Sequence, residues 1–352
     1  MPNTAILKTC SDVMHFSGAS HVLRPFFAGQ GVIFCLHHVC PGGGLQRWFA
    51  PNSKLEITPE FLGEIIGLVR SQGYELVSLT EATERLKSGR VSKTPFAAFT
   101  LDDGYKDNLV HAMPVFRRHN CPFTVFVSPR IADGTCELWW RALEALIAQS
   151  NQINLDLCGN HYQFETREDG QKRVAWNRLS PVLQNMPEYE QRDWINQTCD
   201  RYGIDMKAMC RAAAMTWDEI REMNKEPLAT MGAHTLNHYN LVKLSEEDAK
   251  REIVESKKRI EAELGEPVLH FAYPYGNTDA AQPREFKLCA DAGYASSVTT
   301  RLGGVFPSHA DHLQALPRIM VSGRFQKARY IDALISGIPS IMKNRFRRVN
   351  VT

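Results

Sequence analysis

Short apolar runs of strand length recur along this sequence, each followed by a stretch with helical spacing. That alternation restricts the chain to strands laid side by side in parallel, with helices packed outside them. The clearest units are the strand-like Gly31–Val39 (GVIFCLHHV), helical Thr58–Gln72, the short strand Tyr74–Ser78, and a capped helix from Thr80. Pro95–Leu101 (PFAAFTL) follows as a strand, Asp107–His119 as a helix and Pro122–Ser128 (PFTVFVS) as another buried strand. From Cys136 to Met215 the rhythm stops. Helical segments at Trp139–Gln149, Pro187–Tyr202 and Met206–Ala214 flank a polar middle around Glu165–Arg173, and the stretch is too long for a loop. The expectation is one domain over residues 1–352 with a helical insertion at 136–215.

The alternation resumes at Thr216, where TWDEIREM reads as an N-capped helix. Strands are predicted at Pro227–Gly232, Val268–Tyr273 and Leu316–Val321, with helices at Ser245–Leu264 and Arg284–Ala292. A last helix near Phe325–Ser336 should end at Gly337, with Pro339 beyond it. About seven strands joined by helices fit a distorted (β/α) barrel with a helical insertion better than an open sheet.

Composition narrows the function classes. Lys and Arg number 41 against 39 Asp and Glu, and this near-balance argues against a dedicated nucleic-acid binder. No apolar run approaches the ~18 residues that would cross a bilayer. Asp12, His15, His21 and Arg24 interrupt the segment before Ala28, unlike a secretory leader. Nine cysteines, an odd number without a CxxC pair, suggest reduced thiols, so the expected location is cytoplasmic. At the C-terminus Lys343, Arg345, Arg347 and Arg348 surround Phe346. That stretch reads either as a solvated tail or as a peripheral contact with an anionic membrane.

Three polar clusters each sit just after a predicted strand: Asp102-Asp103-Gly104, His234-Thr235-Leu236-Asn237-His238, and Tyr273-Pro274-Tyr275-Gly276. In a βα barrel the C-terminal ends of the strands build the active site. His234 and His238, four apart, share a face if the segment is helical or turned. Two histidines and one carboxylate make a three-ligand metal site with an open position, a layout used for hydrolysis. Of the two aspartates, one could hold the metal and the other act as base. A lone Asp-Asp-Gly is usually a turn or cap, and a lone His-x-x-x-His a pair of satisfied histidines. Both together at strand ends point to a divalent metal.

The order TLDDGYKDN, GAHTLNH, FAYPYG closely resembles the polysaccharide deacetylase family (the NodB-homology domain of carbohydrate esterase family 4), in its divergent FAYPYG-type branch. The resemblance runs from about Gly31 to Ser322 outside the insertion. It implies a distorted barrel and metal-dependent hydrolysis of an N-acetyl, less often an O-acetyl, group on a sugar. It also implies Asp103, His234 and His238 as ligands of a metal, usually zinc, with Asp102 as base and the Tyr275 N–H as an oxyanion donor.

Two departures from the family stand out. The late Leu-x-x-His that supplies a general acid elsewhere is replaced by LPRIMVSG, with His309 and His312 lying shortly before it. In much of the family the third motif begins with an arginine that pairs with the base. Here that position is Ala272, and Arg318, in an apolar strand-like segment, is the candidate replacement. His37, at the end of the first strand, and Trp139 and Trp140, at the start of the insertion, are candidate substrate contacts. Each has a plainer reading, as a strand end or as buried anchors. The expected reaction is N-deacetylation of an amino sugar or a sugar-containing biosynthetic intermediate. An amidase acting on a non-sugar C–N bond and a non-catalytic carbohydrate-binding protein are the alternatives.

Overall fold

Successive strand residues belong to two different cores, and that division builds the barrel. The computed structural model describes residues 4–43, 49–89 and 94–351. Its main sheet holds eight parallel strands: β1 (Gly31–Leu36), β2 (Glu75–Leu76), β3 (Phe96–Leu101), β4 (Phe123–Val127), β5 (Ala229–Ala233), β6 (His270–Ala272), β7 (Ser296–Val298) and β8 (Ile319–Met320). Val32, Phe34 and Leu36, with Ala97, Phe99 and Leu101, pack outward against helices such as Pro59–Ser71. Ile33, Phe96, Ala98, Phe126, Ala272 and Val298 gather in a second cluster. Leu79, Ala82 and Leu86 of the helix Leu79–Lys87 join that cluster. The same helix bonds to the first residues of two strands, Thr80 to His270 and Thr83 to Ser296.

The order across the sheet is β7-β6-β5-β4-β3-β1-β8, with β2 beside the start of β3. β1 and β3 pair along their whole length, from Gly31–Phe96 to Leu36–Leu101. The curl closes through the segment ending in β8: Leu316 donates to Ser297 and accepts from Thr299, while Ile319 pairs with Phe34. The result is a distorted (β/α) barrel. Two glycines make room for its aromatic filling: a Cβ on Gly31 or on Gly232 would lie 2.5 Å from the ring of Phe96 or of Phe126.

Between β4 and β5 the insertion has its own core, with Leu143, Leu146, Ile153, Leu155, Leu179, Leu183 and Ile195 in one cluster. Its helices are Trp139–Gln149, Asp169–Asn185, Glu188–Tyr202 and Met206–Ala213. It is not purely helical, which corrects the sequence reading. Gln152–Leu157 and Asn160–Glu165 form an antiparallel hairpin. The segment QINLDL buries Ile153, Leu155 and Leu157 alternately. Cys158 and Gly159, both left-handed at φ 49° and 74°, make the two-residue turn that such hairpins favour.

The termini also differ from expectation. Two helices, Thr4–Phe16 and Ala19–Phe27, precede the barrel. Gly337 (φ 80°) does end the helix Ala328–Ile335, but the chain then starts Ile338–Lys343, with Pro339 in its first turn, where a missing N–H costs nothing. Among the described residues no helix is long and apolar enough to cross a membrane.

Candidate metal centre

Strand alternation delivers Asp102 to the centre of the barrel mouth. Phe96 and Ala98 lie in the inner cluster, so Thr100 and Asp102 continue the same face. Cys35 on β1 is the register partner of Thr100. These side chains meet Arg318, which enters just before β8. Its two terminal nitrogens donate to the two Asp102 oxygens at 2.6 and 2.7 Å, a bidentate pair. The rest of the guanidinium is held as well: Nε donates to the Thr299 carbonyl at 2.9 Å and one terminal nitrogen to Thr100 Oγ1 at 3.0 Å. The Cys35 thiol donates to Asp102 Oδ2 at 3.5 Å. Ala272 sits in the inner cluster, so an arginine from the segment on the far side of β7 occupies the centre that a side chain at 272 would otherwise reach. Burial would raise the Asp102 pKa, but the charge and hydrogen bonds of Arg318 outweigh it and the net shift is downward.

Asp103 breaks the alternation. Its backbone is left-handed (φ 75°), so the second aspartate leaves the strand line. Asp103 Oδ1 lies 3.4 Å from His234 Nε2 and 3.2 Å from His238 Nε2. His234 follows β5, and its Nδ1–H donates to the Ala272 carbonyl at 2.7 Å. That bond fixes the tautomer and turns the Nε2 lone pair toward Asp103, as metal-ligating histidines are usually arranged. The segment from His234 to His238 is not a helix. Thr235 (φ 58°) and His238 (φ 57°) are left-handed, and these turns bring the second imidazole back over the first.

All three side chains are buried, and Asp103 Oδ1 makes no conventional hydrogen bond. A buried carboxylate oxygen facing two imidazole nitrogens is a donor set suited to a divalent cation. Burial opposes ionisation of Asp103, yet the adjacent histidines hold its pKa well below the usual carboxylate range. Burial lowers the pKa of His238, whereas at His234 it is outweighed by Asp103 and Asp102 and the pKa is raised. Of eight left-handed non-glycine residues among those described, four are Asp103, Thr235, His238 and Tyr275. Such strain gathers where side chains must be aimed.

Tyr275 (φ 63°) closes one side of the centre, its ring 5.4 Å from that of His238. Trp139 donates its indole N–H to the Tyr275 hydroxyl at 2.9 Å. Only 4% exposed, Trp139 anchors the insertion to the third motif and offers no free face for a sugar. Trp140 lies 5.0 Å ring to ring from His238 and lines a pocket of about 200 Å³ together with His38, Asn52, Glu56, Arg141 and Glu144. His37 comes within metal-ligand reach of Cys35 and Asp102, and burial lowers its pKa. His309 is committed elsewhere, since its Nδ1 accepts from the Phe306 N–H at 3.0 Å.

Sequence reading missed Arg192 of the insertion. It is buried, donates to the His238 carbonyl at 3.3 Å and to the Glu137 carbonyl, and pairs with buried Glu188 at 3.5 Å. At i and i+4 on a helix these two read as an ordinary surface pair. Arg192→Ala should strand Glu188 beside Lys243 alone and destabilise the fold by on the order of 3 kcal/mol. It should also weaken metal retention about tenfold, because the turn carrying His238 loses its outer support. Denaturant titration and metal analysis check both, and a variant as stable and as metal-rich as the wild type would show that Lys243 suffices.

With this geometry in place, comparison with known proteins is informative. Residues 189–295, which include the histidine and FAYPYG motifs, match the polysaccharide deacetylase family. The structure of IcaB from Ammonifex degensii is 18% identical at a TM-score of 0.56, the match covering 88% of this chain and 97% of that one. The Streptococcus pyogenes deacetylase PplD in complex with acetate is 17% identical at a TM-score of 0.55, over 83% and 92%. BC0361, a polysaccharide deacetylase from Bacillus cereus, is 15% identical at 0.53, over 87% and 68%. At these identities the likeness is one of fold. No curated protein sequence matches the chain.

Proposed function

We propose, from the match of residues 189–295 to the polysaccharide deacetylase family and the shared fold, that the chain is a metal-dependent hydrolase removing the N-acetyl group from an amino sugar in a glycan or a sugar-containing intermediate. The observation that carries the reading is the Asp103–His234–His238 cluster at the barrel mouth, beside an Asp102 clamped by a buried arginine. Asp103, His234 and His238 would hold the cation, and the nitrogen-rich donor set favours zinc. When bound, the cation supplies Lewis acidity, polarising the acetamide carbonyl and acidifying water.

The chain's own side chains divide the remaining work. Asp102, kept ionised by Arg318, takes the proton from attacking water. The Tyr275 backbone N–H would serve as the donor to the developing oxyanion, with the Trp139–Tyr275 bond holding that turn in place. The departing amine needs a proton; His309 is committed to its own turn and His312 is exposed, whereas Asp102, protonated in the first step, is already at the centre and can return it. His37 and Trp140 would border the sugar, whereas Trp139 acts by positioning Tyr275. Nine cysteines, six of them buried, suit a reducing compartment such as the cytoplasm, where acetylated substrates are biosynthetic intermediates.

Acetate release from a panel of N-acetylated mono- and oligosaccharides, nucleotide sugars and lipid-linked sugars tests the proposal. Activity should vanish after dialysis against a chelator and return with zinc or cobalt. Release that survives chelation, or none from any acetylated sugar, would overturn it.

A further inference from the structure

The first helix of the chain is amphipathic in the wrong sense for a water-facing element. Lys8, Asp12 and His15 share one face of Thr4–Phe16, and that face is turned inward along the helix Ala328–Ile335 and the turn before it. Lys8 sits over the ring of Phe325, Asp12 pairs with Arg329, and His15 Nδ1 bonds Asp332 at 3.0 Å. Ile6 and Val13 lie on the opposite face, and Phe16 flanks the polar one, with the Arg329 guanidinium 6.0 Å from one side of its ring. These three are 58%, 62% and 75% exposed. A helix docked through its polar side, with its apolar side to solvent, contradicts the ordinary reason helices dock.

The feature extends to the elements beside it. On Ala19–Phe27, Val22 and Phe26 are exposed one turn apart. On and just after Ile338–Lys343, so are Met342 and Phe346. These segments adjoin: a Cβ on Gly337 would collide with the Phe27 carbonyl. Twelve large apolar residues are substantially exposed among those described. The seven most exposed are Ile6, Val13, Phe16, Val22, Phe26, Met342 and Phe346, and the other five are scattered over the rest of the fold. Clustering of this kind marks an interaction surface.

Charge identifies the occupant. Lys343, Arg345, Arg347 and Arg348 are exposed beside the apolar residues. The only carboxylate within residues 4–27 and 333–351 is Asp12, already paired with Arg329. Two copies of this surface meeting face to face would press like charges together. Apolar side chains among unopposed cations instead suit the interface of an anionic bilayer, where they enter the acyl boundary while arginines meet headgroup phosphates. We infer that the surface formed by the two N-terminal helices and the C-terminal helix docks the protein peripherally on an anionic lipid membrane. The inference stands apart from the chemistry of the barrel mouth.

Co-sedimentation of the full chain with phosphatidylcholine vesicles and with 3:1 phosphatidylcholine:phosphatidylglycerol vesicles tests it. The wild type should partition onto the anionic vesicles at least tenfold better, and 0.5 M salt should reduce that preference. Val13→Glu/Phe16→Glu should abolish binding, and Arg345→Ala/Arg347→Ala/Arg348→Ala should remove the anionic preference. All these positions are exposed, so melting temperature and metal content should stay at wild-type values and serve as controls for folding. Wild-type protein that stays in the supernatant with both vesicles, or variants that bind as well as the wild type, would overturn the inference. So would a solution dimer that Val13→Glu/Phe16→Glu dissociates while vesicles are ignored, since that would make the surface a contact between copies.

Discussion

Asp103→Ala should lose bound metal and activity together, whereas Asp102→Asn should keep the metal and lose roughly 10²–10⁴-fold in turnover. The difference follows from what each carboxylate touches. Asp103 Oδ1 faces two imidazole nitrogens and makes no conventional hydrogen bond, so removing it takes one of three donors from the cluster. Asp102 spends both oxygens on Arg318 and one also on the Cys35 thiol. An asparagine there keeps the shape but has little basicity, and it points an amide N–H₂ at a guanidinium that can only donate. Some loss of stability should therefore accompany the loss of rate. Metal analysis, turnover and thermal melting on the two variants separate the roles. Metal lost from Asp102→Asn and retained in Asp103→Asn would reverse the assignment.

Much of the architecture is legible because it rests on local pattern. GVIFCL, FAAFTL and FTVFV are apolar but for one threonine in each of the last two and buried throughout, as strands between an inner and an outer core must be, and each polar cluster directly follows a strand. The aspartates and histidines are readable for the same reason, since strand ends share one end of the barrel. What was not legible depends on burial or on partners far away in sequence. QINLDL alternates faintly within a polar stretch, so its hairpin is hidden from composition. Arg192 and Glu188 look like a solvated pair until the insertion is folded over them. The helix Thr4–Phe16 carries a helical period, but no periodicity tells which face turns inward, and here it is the polar one. Trp139 and Trp140 are adjacent in sequence yet diverge in use, one anchoring Tyr275 and one lining the pocket.

Arg318→Met should cost about 3–5 kcal/mol of stability at neutral pH and most of the turnover, with metal content nearly unchanged. Arg318 is fully buried, and its partner Asp102 is nearly so. Methionine fills part of the volume, but it leaves a carboxylate in a dry site with one weak thiol donor. The pH dependence carries the diagnostic sign. In the wild type burial pushes the Asp102 pKa up, Arg318 more than cancels that, and the net shift is downward. The pair's contribution is therefore present above the unfolded aspartate pKa, about 3.9, and fades as pH falls through the lower folded value. Without the guanidinium, burial is left largely unopposed and the folded pKa rises above the unfolded one. The variant's penalty is then full at neutral pH and relieved as acid neutralises Asp102. The stability gap between the two proteins should accordingly narrow on acidification, and the acidic limb of kcat/KM should move to higher pH. Arg318→Lys should rescue only part, because an ammonium cannot reproduce the paired donors. Asp102→Asn/Arg318→Met should be less destabilised than the sum of the single changes, because the second substitution removes the charge stranded by the first. An Arg318→Met protein with wild-type stability at pH 7 and an unmoved acidic limb would show that Asp102 is held and ionised by its other neighbours, with His234, His37 and Cys35 the first to examine.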